Sequence, residues 1–148
     1  MAFRKALLSS LFYFVAQAQS EQDRRLYPDL AEIADVFGYG WEAHKVETED
    51  GWFLTLFRIT SVDGERLSTR PENRDKPPLL MQHGASGNGH GWIGGLTGAL
   101  IPGKLAEQGY DVWLGNNRGT MYSNVHKNDG QPGWTLKDHW NFSWADMG

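Results

Sequence analysis

The chain has 148 residues, a formal net charge of −4 and no cysteine. That length suits one small domain, the lack of a basic stripe argues against nucleic acid as a partner, and without thiols neither a disulfide framework nor a thiolate metal site can form. Stability then has to come from apolar burial, for which seven Trp, seven Phe and five Tyr supply the bulk.

The first segment reads as a targeting signal. Arg4 and Lys5 precede the short apolar run Ala6 to Val15, and Ala16-Gln17-Ala18 carries small residues at the spacing of a cleavage site. Residues 1–18 are thus expected to be a signal peptide and 19–148 the domain, in a secreted, endomembrane or lysosomal-lumen setting. An uncleaved anchor and a buried amphipathic segment are the alternatives, although the run is shorter than the roughly 20 residues that span a bilayer.

Leu30, Ile33, Ala34 and Phe37 recur at helical spacing, which predicts a helix from about Pro28 to Phe37, with Gly38 as its stop. His44 to Glu49 and Trp52 to Ile59 flank Asp50-Gly51, a hairpin signal. Val62 to Pro78 reads as a polar surface loop. Leu79 to Met81 is an apolar run expected to be a buried parallel strand leading into Gln82-His83-Gly84-Ala85. A glycine-rich turn, Ala85 to Gly95, follows, then a helix from Ile101 to Gln108 ended by Gly109. Asp111 to Leu114 is the next strand, running into Gly115-Asn116-Asn117-Arg118-Gly119. This order is a βαβ unit, expected to cross over right-handed. Ser143-Trp144-Ala145-Asp146 has the form of a capping box and starts a helix just before Gly148.

The fold class is therefore α/β, a β-hairpin followed by a parallel βαβ unit, as at the beginning of an open sheet. Open sheets place their chemistry at the carboxyl ends of parallel strands. No G-x-S-x-G elbow occurs in the 148 residues, and the expectation is an incomplete sheet. The strand ending at His83 would then present an unpaired apolar edge, open to a partner chain or to self-association.

Several side chains admit two readings. His83 is either a base or a support for its turn. Ser86 and Ser123, outside any elbow, read as solvent-facing loop hydroxyls. Arg118 either bonds loop carbonyls or meets an anionic ligand. Asp146 is either a catalytic acid or a helix cap. His44, His90, His126 and His139 show no HExxH or paired-ligand spacing, so no metal is expected. Trp134, Trp140, Phe142 and Trp144 are either core under a capped helix, the favoured reading, or a sugar or lipid platform. Asn141-Phe142-Ser143 is a formal glycosylation sequon set among aromatic neighbours that suggest packing.

The chain resembles the amino-terminal portion of the acid lipase family, the gastric and lysosomal-type lipases of the α/β-hydrolase fold. The resemblance rests on Phe37-Gly38-Tyr39, Val46 through Trp52, Arg58-Ile59, Gln82-His83-Gly84, Gly109 through Gly119 and Phe142 through Met147, in family order. Two departures stand out: Gly40, where the family usually has Pro, and Ala85, where it usually has Leu. The resemblance implies a lipase acting on lipid esters in lipid metabolism and degradation, with no cofactor. It also implies that the backbone N–H of Ala85 is one oxyanion donor, in a turn supported by His83 and Gly84. The nucleophile, acid and base of such an enzyme follow later in chain order, so the triad is absent from this chain and no hydrolysis is expected of it alone. A non-catalytic secreted half-domain that binds lipid or protein is the alternative, and a membrane-anchored accessory chain a third reading.

Overall fold

The computed structural model describes residues 21–67, 77–94 and 100–147. The expected signal peptide and most of the polar loop after Val62 lie outside those residues. Among the described residues no helix is long and apolar enough to cross a membrane.

Helix α1, Pro28–Val36, begins with proline, whose fixed φ suits the first turn and whose missing N–H costs nothing there. Leu30, Ala31 and Ala34 form its buried stripe. Gly38 ends it at φ 70°, where a glycine meets no steric cost.

The hairpin is longer than its sequence signal. Strand β1, Tyr39–Glu47, pairs antiparallel with β2, Phe53–Val62, and the register slips between Gly40 and Trp41. Here the departure at Gly40 has a physical reason: a Cβ on it would lie 2.1 Å from Ser61 Oγ. The connection is not a two-residue turn on Asp50-Gly51. It closes at Thr48, whose N–H donates to Trp52 O at 2.8 Å and whose hydroxyl accepts from Trp52 N at 2.9 Å. A second Asp-Gly, Asp63-Gly64, turns the chain into β3, Glu65–Arg66, which pairs with β2 inside what had read as loop.

Strand β4, Pro78–Met81, and strand β5, Asp111–Leu114, pair in parallel, as the βαβ pattern predicts. Between them lie α2, Gly91–Gly94, which the glycine-rich sequence had hidden, and α3, Leu100–Glu107, ended by Gly109 at φ 88°. Strand β5 also pairs antiparallel with β2, through Phe57↔Leu114 and Arg58↔Trp113. The sheet order is therefore β1-β2-β5-β4, with β3 beside β2. Hairpin and parallel unit are one sheet.

The core sits where α1 and α3 meet that sheet. Phe57, fully buried, is ringed edge-on by Tyr27, Trp41 and Tyr122 at centroid distances of 5.1, 5.6 and 5.1 Å. Val112 and Leu114 from β5, Ala106 from α3 and Ile93 from α2 complete it. The expectation of a buried β4 fails. Only Met81 is buried, while Leu80 is 58% exposed. The reason is the face: Leu80 pairs with Trp113, which is only half-buried on interior β5, whereas Met81 pairs with buried Leu114 on the core side.

Candidate functional site

Because β4 and β5 are parallel, they release their chains side by side at one end of the sheet, and Gly115 N–H bonds Met81 O at 3.1 Å just beyond it. His83 lies between the two departing loops. The backbone N–H of Asn117 lies 3.1 Å from His83 Nε2 and can only donate. Nε2 is thus the accepting nitrogen, and Nδ1 carries the proton that it donates to Gly84 O at 2.8 Å. Both ring nitrogens are occupied, which leaves no lone pair for a base. The same carbonyl accepts from Gly87 N–H at 3.1 Å and closes a turn over 84–87. Ser86 holds φ 62° at its third position, as a type II turn requires. Among the described residues the Ala85 N–H has no hydrogen-bond partner. A Cβ on Gly84 would meet nothing within 4 Å, so the bend faces open space.

A buried network that the sequence reading missed holds this turn. The Asn116 side chain, 3% exposed, accepts from Gly89 N–H at 2.7 Å and donates to Thr55 O at 2.8 Å, tying the glycine-rich loop to β2. Ser123 is not solvent-facing as expected. It is 1% exposed, accepts from Thr55 N–H at 2.9 Å and donates to Asn116 O at 3.1 Å. Gly-Asn-Asn-Arg-Gly had announced a loop, but a buried amide has no local signature. Ser86 is exposed, as expected.

Arg118 departs from its loop-carbonyl reading: among the described residues Nη1 and Nη2 grip the two carboxylate oxygens of Asp50, the second at 3.3 Å. Its guanidinium lies 5.7 Å from the Trp52 ring centroid and 6.0 Å from that of Phe142. Arg118 beside it, with the Thr48 hydroxyl as a second donor, holds the Asp50 carboxyl below its ordinary value.

The turn opens onto a cleft of about 370 Å³ lined by His83–Gly87, Asn117–Thr120, Trp140, Phe142, Trp144 and Met147. The aromatic cluster divides across it. Phe142 and Trp134 pack inward, Phe142 on Trp52 at 5.2 Å and Trp134 flat on His126 at 4.4 Å. Trp140 and Trp144 are 48% and 68% exposed, so the favoured core reading is wrong for these two. Asn141 between them is exposed as well. The helix beneath is another miss. Thr135 and Asp138 form a reciprocal capping box on α4, Leu136–His139, a pattern as legible as the one noted at Ser143. Asp146 acts as a cap, accepting from Ser143 N–H at 2.6 Å, and starts a short 3₁₀ turn over Trp144–Met147.

The remaining histidines have structural partners. His139 bridges Asp129 at 2.8 Å and Asn124 at 2.9 Å, His126 bonds Asp50 O at 2.9 Å, and His44 meets Glu42 at 3.0 Å. Among the described residues no group of three or more His, Asp or Glu is placed to hold a metal ion.

A profile of the family described as "Partial alpha/beta-hydrolase lipase region" matches residues 30–96, from α1 through the turn at Ala85 to α2. Triacylglycerol lipase 1 of Arabidopsis thaliana is 34% identical over 144 residues, 96% of this chain and 34% of its own. Triacylglycerol lipase 2 of the same plant is 35% identical over 119 residues, 79% of this chain and 27% of its own. Lysosomal acid lipase/cholesteryl ester hydrolase of Homo sapiens is 33% identical over 123 residues, 80% of this chain and 28% of its own. The chain thus spans about a quarter to a third of the length of these relatives.

Proposed function

We propose that this chain, which carries the partial α/β-hydrolase lipase region at residues 30–96 and is similar to a lysosomal acid lipase, forms the oxyanion-turn portion of a serine ester hydrolase that degrades lipid esters. The observation that carries this reading is the Ala85 N–H, without a hydrogen-bond partner among the described residues, at a hydrogen-bonded bend beside an open cleft and beyond the end of a parallel strand. When a serine oxygen attacks an ester carbonyl, negative charge collects on the carbonyl oxygen. A donor already aimed at that oxygen lowers the barrier without reorganising, and one such donor is worth about 10²–10³ in rate. His83 and Gly84 position it: the imidazole, held by Asn117, pins the Gly84 carbonyl, which anchors both ends of the bend. Serine, acid and base come from residues other than these 148. The relatives are named for triacylglycerol and cholesteryl ester, and the substrate proposed here is of that class.

Two further readings belong to the same proposal. Residues 1–18 act as a leader that delivers the protein to a secreted or lysosomal-lumen setting, supported by the charge and small-residue pattern and by a lysosomal relative. The outer edge of β4 takes another strand, from a partner segment or a second copy.

The test is a titration of the ¹⁵N-labelled chain with butyrate, whose carboxylate stands in for the oxyanion. The Ala85 amide resonance should move saturably. Ala85→Pro, which has no amide signal of its own, should abolish the accompanying butyrate shifts of the neighbouring Ser86 and Gly87 amides, since proline suits the second position of a type II turn and removes only the donor. An Ala85 amide indifferent to butyrate rejects the reading, and leaves a binding half-domain in its place.

A further inference from the structure

We infer that Trp140, Trp144 and Met147 form the wall that receives the acyl chain of the ester whose carbonyl rests at Ala85. This rests on the oxyanion reading above and adds what that reading leaves open, namely which side of the cleft takes the apolar part of the substrate. At about 370 Å³ the cleft lies within the range of roughly 300–1,000 Å³ typical of small-molecule sites. The bend at Gly84 and Ala85 and the three wall residues line one continuous space. A polar donor at one end and aromatic faces alongside match an amphiphile, not a uniformly polar ligand.

Charge points the same way. Of the ionisable groups lining the cleft, Arg118 has its charge taken by Asp50, and both ring nitrogens of His83 are engaged. Among the described residues no other ionisable side chain lines this cleft. Nor do the tryptophan faces offer donors for the extra oxygens of a polyol alcohol, which favours the acyl side over the leaving group. A second cleft, of about 300 Å³, shares Trp140 but carries Asp129, Asn124 and Thr135, so Trp140 divides an apolar slot from a polar one. The wall is also held in place. A Cβ on Gly119, at φ 79°, would lie 2.8 Å from Phe142 Cζ and 2.9 Å from Trp140 Cζ3, so these rings sit directly on the loop backbone. Trp52 fixes Phe142 from behind.

The experiment compares butyrate with decanoate, below micelle formation and at a protein concentration where sedimentation shows one species. It follows the Ala85 amide together with the indole N–H signals of Trp140, Trp144 and Trp134. Butyrate should move Ala85 alone. Decanoate should move Ala85, Trp140 and Trp144, but not Trp134, whose indole N–H donates to Asp129 at 3.1 Å in the other cleft. Decanoate should bind more tightly by about fourfold for each methylene seated. Trp144→Ala should weaken decanoate by about tenfold, the loss of one to two seated methylenes, and leave butyrate unchanged. Trp140→Phe, which keeps an aromatic face, should retain most of the binding.

Silent Trp140 and Trp144 indoles with a responsive Ala85 overturn this inference and leave the oxyanion reading intact. Indoles that respond to octyl acetate but not to decanoate assign the wall to the alcohol side, and also overturn it. An Ala85 amide that ignores both acids sinks both.

Discussion

Arg118 is only 9% exposed, and Asp50, half exposed at the hairpin tip, meets it with both carboxylate oxygens. The pair bridges the hairpin to the loop that carries Asn117, and so bears indirectly on His83. Removing Asp50 leaves a buried cation without its partner, and the cost of losing a charge-assisted bond is about 1.5–3 kcal/mol. Asp50→Ala should lose about that much in urea unfolding near neutral pH. The acid dependence carries the sign. Asp50 has a folded-state pKa below its ordinary 3.8, so its contribution is whole above that value and is lost as pH falls through the depressed one. Wild type and Asp50→Ala should therefore converge in stability at strongly acid pH, and a gap that persists there would show that the pair is not the cause. The turn at His83, Gly84 and Ala85 was legible from the family resemblance, and the structure places a hydrogen-bonded bend there. Asp50 and Asn116 were not, because pairing across 68 residues, or burial of an amide, depends on tertiary placement that no short spacing encodes.

At the level of elements, local signals carried far. Gly38 and Gly109 end their helices, and Asp50-Gly51 lies in the β1–β2 connection, whereas Asp63-Gly64, read as loop, turns the chain into β3. On β2 Phe57 and Ile59 face inward, although Leu54, Thr55 and Leu56 break any apolar alternation before them. What failed was inference about burial. Leu79-Leu80-Met81 reads as an interior strand, yet burial follows the face each residue takes. On the face it shares with half-buried Trp113, Leu80 stays exposed, with the outer N–H and C=O groups of β4 beside it. If this edge is what associates, Leu80→Lys should lower the sedimentation-average mass at micromolar concentration, since charge on an edge strand blocks pairing. An unchanged mass would place association elsewhere or nowhere. Similarly, Trp140 and Trp144 looked like core on composition, but they stand at a cleft mouth. Only the position of the 84–87 turn opposite them explains that.

At the scale of the molecule, the fold does one mechanical thing. It sets β5 between an antiparallel neighbour and a parallel one, so that the chain leaving β4 and the chain leaving β5 brace each other through His83 and Asn117. Gly84 and Ala85 project from that brace. The α/β class and the parallel unit were readable from strand, turn and helix order; the merging of hairpin and parallel unit into one sheet was not, because β2–β5 pairing is long-range. The account stands or falls on the Ala85 amide. A crystal structure of the chain with a bound alkylphosphonate tests it most directly. One phosphonate oxygen should sit about 2.7–3.1 Å from Ala85 N, as an oxyanion donor requires, with the alkyl tail along Trp140 and Trp144. A phosphonate bound away from the bend, or an Ala85 N–H closed onto the protein's own carbonyl, would contradict it.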